Sequence, residues 1–341
     1  DTAYPRPFVC PQSLAGPPAL ELRAGAPADA GLSAGVGDAI DKAAQAWLKE
    51  NDVGFALCVA RRGVVLVNKG YGEYQGQPVT PTTPSILASL TKFLNALLLL
   101  EFVDQGYLDL DEPVARYVPA LRGIEVRRPM TFRDLYLHTC GLTGHDGDTW
   151  PDLEEIVADL YPALEVGVRH EYQGMGHALA SKIMEDMSGE ALPYLYQKHL
   201  FGPLGCTQTR ADLSSFGSSG IALDLAKIGQ LALNGGAYGT KRYFSPPTLA
   251  KMLPIPGKDR PGADQSIRWG VGIKQLDSDC LGPRAFGHSG ATGSFLVIDP
   301  SRDLVIAQTR MSEGKSYQDF LKQKGRFFTA VTAALDTEAK R

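Results

Sequence analysis

Ser89, Leu90, Thr91 and Lys92 place a hydroxyl and an amine three residues apart, where a helix pattern begins. That pairing can make a serine nucleophile without histidine, because a nearby amine lowers the hydroxyl's pKa or takes its proton. Pro81, Thr82, Thr83 and Pro84 precede the pair, and Leu90, Phe93, Leu94, Leu97 and Leu98 fall on one face at the 3, 4, 7 and 8 spacing. This predicts an amphipathic helix opening at Ser89. There, unpaired N–H groups and the positive end of the helix dipole favour negative charge on the serine oxygen or on an oxyanion beside it. Lys92 reaches the same side of the helix. Spacing alone is weak evidence, because an N-cap serine followed by a surface lysine looks the same. Ser312, Glu313, Gly314 and Lys315 repeat the pattern after an apolar run, with a glycine and no opening helix, and read as a solvated loop.

A serine nucleophile also needs a proton acceptor and an oxyanion hole. Tyr172, Gln173, Gly174 and Met175 stand just before a helix pattern from His177 to Met187, which puts a phenol on a loop. Gly287, His288, Ser289, Gly290, Ala291, Thr292 and Gly293 lead into an apolar strand from Ser294 to Ile298. The stretch from Gly287 to Ala291 is close to the nucleophile elbow of an α/β-hydrolase, but no histidine follows His288 to complete that order.

The elements around these residues suggest a sheet assembled from both ends of the chain. A helix pattern from Val36 to Asn51 is followed by a hairpin, Phe55 to Ala60 and Val64 to Asn68, turning at Arg61, Arg62 and Gly63. A second hairpin, Ser294 to Ile298 and Leu304 to Gln308, precedes a helix pattern from Gln318 to Leu335. Between them the signals are helical: Phe132 to Leu137, Leu153 to Leu160, His177 to Met187, Leu192 to Phe201 and Leu223 to Leu233. The expected fold is therefore α/β of the α+β kind, an antiparallel sheet flanked by terminal helices with a helical insertion. The expected organisation is an extended arm at 1–30, a discontinuous sheet domain at 31–110 and 237–341, and a helical subdomain at 111–236. A cleft between sheet and insertion is the natural place for a site, with His145 to Trp150 in its wall.

Composition narrows the function. The chain has 341 residues, 44% of them hydrophobic, enough for a sizeable core, and a formal charge of −4 gives no basic field for nucleic acid. The longest apolar run, Ala96 to Leu100, is too short to span a bilayer. The start at Asp1 fits removal of a targeting segment, with export to a secreted or periplasmic location; a cytoplasmic one also stays open. Five cysteines (Cys10, Cys58, Cys140, Cys206, Cys280) without a CxxC pair leave room for one bridge from Cys10 but not for a disulfide framework. His138 and His145, and His170 and His177, lie seven apart without helical zinc spacing, so neither a metal nor another cofactor is expected. Oligomeric state is not legible.

With these residues in order, the chain resembles the serine β-lactamase and penicillin-binding-protein superfamily, in its class C-like branch with esterases, D-amino-acid peptidases and acyltransferases. The likeness runs from about residue 40 to 335 and rests on several ordered segments. Gly106, Leu108, Leu110, Asp111, Pro113, Val114, Tyr117 and Pro119 resemble the segment after the nucleophile helix. His138, Thr139, Cys140, Gly141 and Leu142 resemble a His-Thr-Ser-Gly-Leu loop, and Pro203, Leu204, Gly205 and Thr209 match a later landmark. The resemblance implies Ser89 as nucleophile, Lys92 as the cation that lowers its pKa and shuttles its proton, and Tyr172 as base for acylation and acid for the leaving group. It implies an oxyanion hole from the N–H groups of Ser89 and Ala291, and a substrate wall at Gly174, His288, Ser289 and Gly290.

Two departures bear on substrate. Gly174 stands where β-lactamases commonly carry asparagine, and His288 stands where a lysine opens the Lys-Thr-Gly triplet. Both weaken the case for anionic β-lactams or peptides ending in D-alanine, and point to a small ester or amide, hydrolysed by a carboxylesterase. A D-amino-acid peptidase, a weak class C-like β-lactamase and a non-catalytic sensor or scaffold are the competing readings.

Overall fold

The computed structural model describes residues 7–144, 152–254, 268–276, 279–314 and 316–338. His145 to Trp150, expected in the cleft wall, and Lys315 of the second Ser-x-x-Lys copy lie outside these. Eight strands form the main sheet: β1 (Arg23–Ala24), β2 (Phe55–Arg61), β3 (Val64–Tyr71), β4 (Trp269–Gly270), β5 (Ile273–Gln275), β6 (Phe286–Ser289), β7 (Phe295–Asp299) and β8 (Leu304–Arg310). Their spatial order is β4-β5-β6-β7-β8-β2-β3-β1, so strands from both ends of the chain meet where β8 pairs with β2. The pairings are antiparallel except that of β1 with β3.

Strand alternation divides the core. Phe55, Leu57, Val59, Phe295, Val297, Leu304 and Ile306 face the helices α1 (Val36–Asn51) and α9 (Tyr317–Glu338), with Trp47 and Phe327 closing that layer. Ala56, Cys58, Leu296, Ile298, Val305 and Ala307 face the other way, into a core shared with the helical part of the chain. That part contains α2 (Leu90–Asp104), α3 (Phe132–Tyr136), α4 (Leu153–Leu160), α5 (Met175–Ser188), α6 (Leu192–Leu195, continued as a π-turn to Phe201), α7 (Ala222–Leu233) and α8 (Pro246–Met252). The π-turn gives one expected helix two geometries.

Three expectations need correction. The helix α2 is not amphipathic: Leu90 through Val103 are all buried, because α2 runs between the sheet and the helical part. Thr91, Lys92 and Asn95 are paired inside the protein, whereas the buried Glu101 carboxyl has no hydrogen-bond partner among the described residues. Asn95 donates to Ser181 Oγ at 2.9 Å and Tyr196 Oη at 3.0 Å, and accepts from Tyr136 Oη at 2.6 Å. The N-terminal arm is extended but packed: Gln12–Ser13 pairs with Lys241–Arg242, Arg23–Ala24 joins β3, and Phe8 stacks on Phe102 at 3.8 Å. Covering a sheet edge in this way removes a template for aggregation. All five cysteines are free thiols, so the bridge from Cys10 is absent.

Candidate active site

Ser89 occupies the N-cap of α2, yet its hydroxyl makes no capping bond. Instead it faces the Tyr172 phenol closely enough to lower that group's pKa. This separates it from an ordinary capping serine, whose oxygen is spent on the helix. The turn that presents it is strained: Ala88 has φ of +47°, a left-handed conformation costing an L-residue about 1–2 kcal/mol. Such strain persists only where neighbours enforce it. Here Thr91 Oγ1 donates to Ala88 O at 2.6 Å and lies 2.6 Å from Ser218 Oγ, in a small sheet of Ser85–Ile86, Arg210–Ala211 and Ser218–Gly220.

Lys92, one turn along α2, is buried, and its ammonium donates to the Ser215 carbonyl at 2.9 Å. Its Nζ also lies 4.8 Å from the Tyr172 ring centre. Burial, and then the charge of Lys274, depress the Lys92 pKa to about 7. Tyr172 is 37% exposed, at the end of the loop before α5. Partial burial raises its phenol to about 12, against the lowering effect of the nearby Ser89 hydroxyl. The sequence-predicted trio is therefore assembled, with an amine that can be neutral near pH 7 beside a phenol that keeps its proton.

The two N–H groups expected to form an oxyanion hole sit on elements that are locked together. Neither the Ser89 nor the Ala291 N–H makes a backbone hydrogen bond among the described residues. The turn carrying Ala291 is closed by Gly290 N–H to Ser294 O at 2.8 Å, and Thr292 Oγ1 donates to Ile86 O at 2.8 Å. Gly290 packs directly on the residues before the nucleophile: a Cβ there would overlap the Leu87 carbonyl oxygen and sit 3.1 Å from Ala88 Cβ. Gly290→Ala should therefore displace the Ala291 N–H and lower kcat by about 10²- to 10³-fold while the fold survives. Steady-state kinetics with circular dichroism checks this, and an unchanged kcat would remove Ala291 from the oxyanion hole.

The other predicted wall residues divide. Gly174 is buried at the N-cap of α5 with its N–H bonded to Gly144 O at 3.1 Å, so it has no free donor for a substrate. The neighbouring Gln173 side chain turns inward, accepting from Gly176 N–H at 2.7 Å. His288 is buried in β6, its Nδ1 2.9 Å from both N and O of Ser289, and burial holds it well below the ordinary histidine pKa. It is a neutral wall. Ser289 lies at the end of β6, opposite Phe295.

His138 was noted from sequence only as part of a loop, and Trp269 and Lys274 were not singled out at all. His138, with φ of +57°, packs its buried ring 4.5 Å from Tyr172 and 5.4 Å from His177. Trp269 stacks on Tyr172 at 5.4 Å and lies 6.1 Å from His288. Lys274, on β5, places its ammonium 4.6 Å from the Trp269 ring and 5.9 Å from the Tyr172 ring. The signal available was the tight turn at Val271 and Gly272 between Trp269 and Lys274, a hairpin cue in a stretch otherwise hard to read. Among the described residues, no group of three His, Cys, Asp or Glu is placed to hold a metal ion, and no helix is long and apolar enough to cross a membrane.

This geometry can be compared with known proteins. The Beta-lactamase family model matches residues 40–316. The chain belongs to the beta-lactamase family. It is similar to proteins named as penicillin-binding proteins, D-alanyl-D-alanine carboxypeptidases and a carboxylesterase. An Escherichia coli K12 protein provisionally named a D-alanyl-D-alanine carboxypeptidase is 24% identical over 351 residues, covering 76% of this chain and 79% of the other. The fold of this beta-lactamase-family chain also matches a penicillin-binding protein homologue from Caulobacter crescentus, with TM-score 0.73, 21% identity, and 88% and 97% of the two chains covered. A family VIII carboxylesterase matches with TM-score 0.73 and 20% identity, over 89% and 98%. The expected superfamily and fold class are thus met, and the chain lies within a superfamily of serine hydrolases.

Proposed function

We propose that the protein is a serine hydrolase that acylates Ser89 and returns the acyl group to water, acting as a carboxylesterase on small esters. The observation that carries this reading is the uncapped Ser89 hydroxyl beside the Tyr172 phenol, with the Lys92 amine 4.8 Å from the same ring. In the resting enzyme Lys92 is the better proton acceptor, because desolvation has made its neutral form accessible near pH 7. Tyr172 keeps its proton and is placed to relay one to the leaving group. This differs from the assignment of Tyr172 as the base, and the physical reason is burial: it disfavours both the ammonium and the phenolate.

Acylation then runs in order. Ser89 Oγ attacks the carbonyl carbon as its proton passes to Lys92, directly or through Tyr172. The Ser89 and Ala291 N–H groups receive the oxyanion. Collapse expels the alcohol, which takes a proton from Tyr172, and Tyr172 recovers one from Lys92. Water enters on the same path in reverse and releases the acid.

Ester preference is supported by Gly174, which offers no side-chain amide, and by the neutral His288. The family VIII carboxylesterase among its structural likenesses supports it at the level of fold. Matched kcat/KM values on a short-chain nitrophenyl ester, a chromogenic cephalosporin and a D-alanyl peptide are expected to rank the ester first. A cephalosporin rate well above the ester rate would overturn the substrate choice and leave the acyl-enzyme chemistry in place.

A further inference from the structure

We propose that Lys274 holds a carboxylate carried by the leaving group of the substrate. The proposal rests on the hydrolase reading above and refines its substrate class to esters or thioesters with an anionic leaving group.

Position is the first argument. Lys274 pairs with Gly287, immediately before the His288, Ser289, Gly290 triplet, and with Trp269 on its other side. Its ammonium is 5.9 Å from the ring of Tyr172, the residue assigned to protonate the departing group. A group that leaves toward Tyr172 therefore leaves toward Lys274. The carbonyl oxygen, directed between the Ser89 and Ala291 N–H groups, has its developing negative charge met elsewhere.

Charge is the second. Lys92 and Lys274 flank one phenol ring, at 4.8 and 5.9 Å, and neither forms an ion pair among the described residues. By contrast, Asp134, Asp224 and Asp299 elsewhere in the molecule are buried or nearly so and each has a cationic partner. Lys324 on α9 adds a third amine whose charge reaches Lys274 and whose Nζ lies 5.6 Å from the Phe320 ring. Burial lowers the pKa of Lys274, and of Lys324 to about 8. An anion would relieve this unpaired charge and would be bound more strongly there than in open solvent.

The expectation drawn from the missing triplet lysine therefore does not extend to the whole pocket. The histidine removes a cation from β6, and the neighbouring strand β5 supplies one. The resulting site has a different geometry from a lysine within the triplet, since Lys274 approaches along Trp269.

The test compares S-benzoyl thioglycolate, whose thiolate leaving group carries a carboxylate, with its neutral carboxamide. The wild type should favour the acid in kcat/KM by about 10-fold or more, a preference that high salt reduces. Lys274→Met should lose most of that ratio, and Lys274→Arg, which keeps the charge, should restore part of it. Equal wild-type rates, or a preference unchanged in Lys274→Met, would overturn the assignment while the hydrolase reading stands. Failure of the wild type to cleave either thioester, together with no turnover of a nitrophenyl ester, would overturn both.

Discussion

Ser89→Ala is expected to lower kcat/KM on a nitrophenyl ester by about 10⁴-fold or more. The side chain is small and makes no capping bond, so its removal costs the fold little. Whatever turnover remains should come from the oxyanion donors and substrate binding, as it does when other serine hydrolases lose their nucleophile. A variant with full ester activity would mean that chemistry occurs elsewhere on the surface. Near-native thermal stability in Ser89→Ala would place the loss in the chemistry rather than in folding.

Lys92→Met should reduce kcat/KM by about 10²- to 10⁴-fold and also change its pH dependence. In the wild type, activity should rise with pH through about 7, as Lys92 sheds its proton and becomes able to accept the one from Ser89. No loss from Tyr172 is due until pH approaches 12. The methionine variant should lack the limb near 7. The same group sets a stability trend. Its folded pKa lies below the ordinary 10.5, so between about 7 and 10.5 the unfolded chain binds the proton that the folded chain has released. Stability from this residue therefore increases as pH rises across that window and is smallest below pH 7. Thermal melts of the wild type and Lys92→Met at pH 7 and pH 10 should show a larger gain with pH in the wild type. An unchanged acidic limb in Lys92→Met would assign that titration to another group.

Local patterns carried most of the fold. The helix at Val36–Asn51 and the hairpin strands at Phe55–Arg61 and Leu304–Arg310 follow from hydrophobic periodicity and from turns at Gly63 and Pro300. What periodicity could not give was how many sides of an element are covered. The amphipathic reading of α2 named one apolar face, but Thr91, Asn95 and Glu101 off that face are buried as well. Asn95 is at home there because Ser181, Tyr136 and Tyr196 arrive from distant segments, and such partners leave no trace in local sequence. The arm at the N-terminus was read from its prolines as extended and unpacked, and its docking on Lys241–Arg242 and β3 depends on strands far along the chain.

The site shows the same division. Ser89, Lys92 and Tyr172 were identifiable by type, order and context, and the fold brings them together. Gly290 was noted as part of a motif, but its tight packing beneath Leu87 and Ala88 is visible only in three dimensions. Lys274 carried no motif at all. It matters because β5 pairs with β6, and strand pairing places a lysine 14 residues before His288 beside the same pocket. The charge of Lys92 was also out of reach, since an exposed lysine and a buried one are written alike and only burial moves the amine toward neutrality.

The most direct measurement of the central claim is intact-mass analysis after brief exposure to a fluorophosphonate probe, followed by peptide mapping. One covalent adduct per chain, located on Ser89 and absent from Ser89→Ala, is the predicted result. No adduct on the folded wild-type protein, or an adduct that persists in Ser89→Ala, would contradict the account.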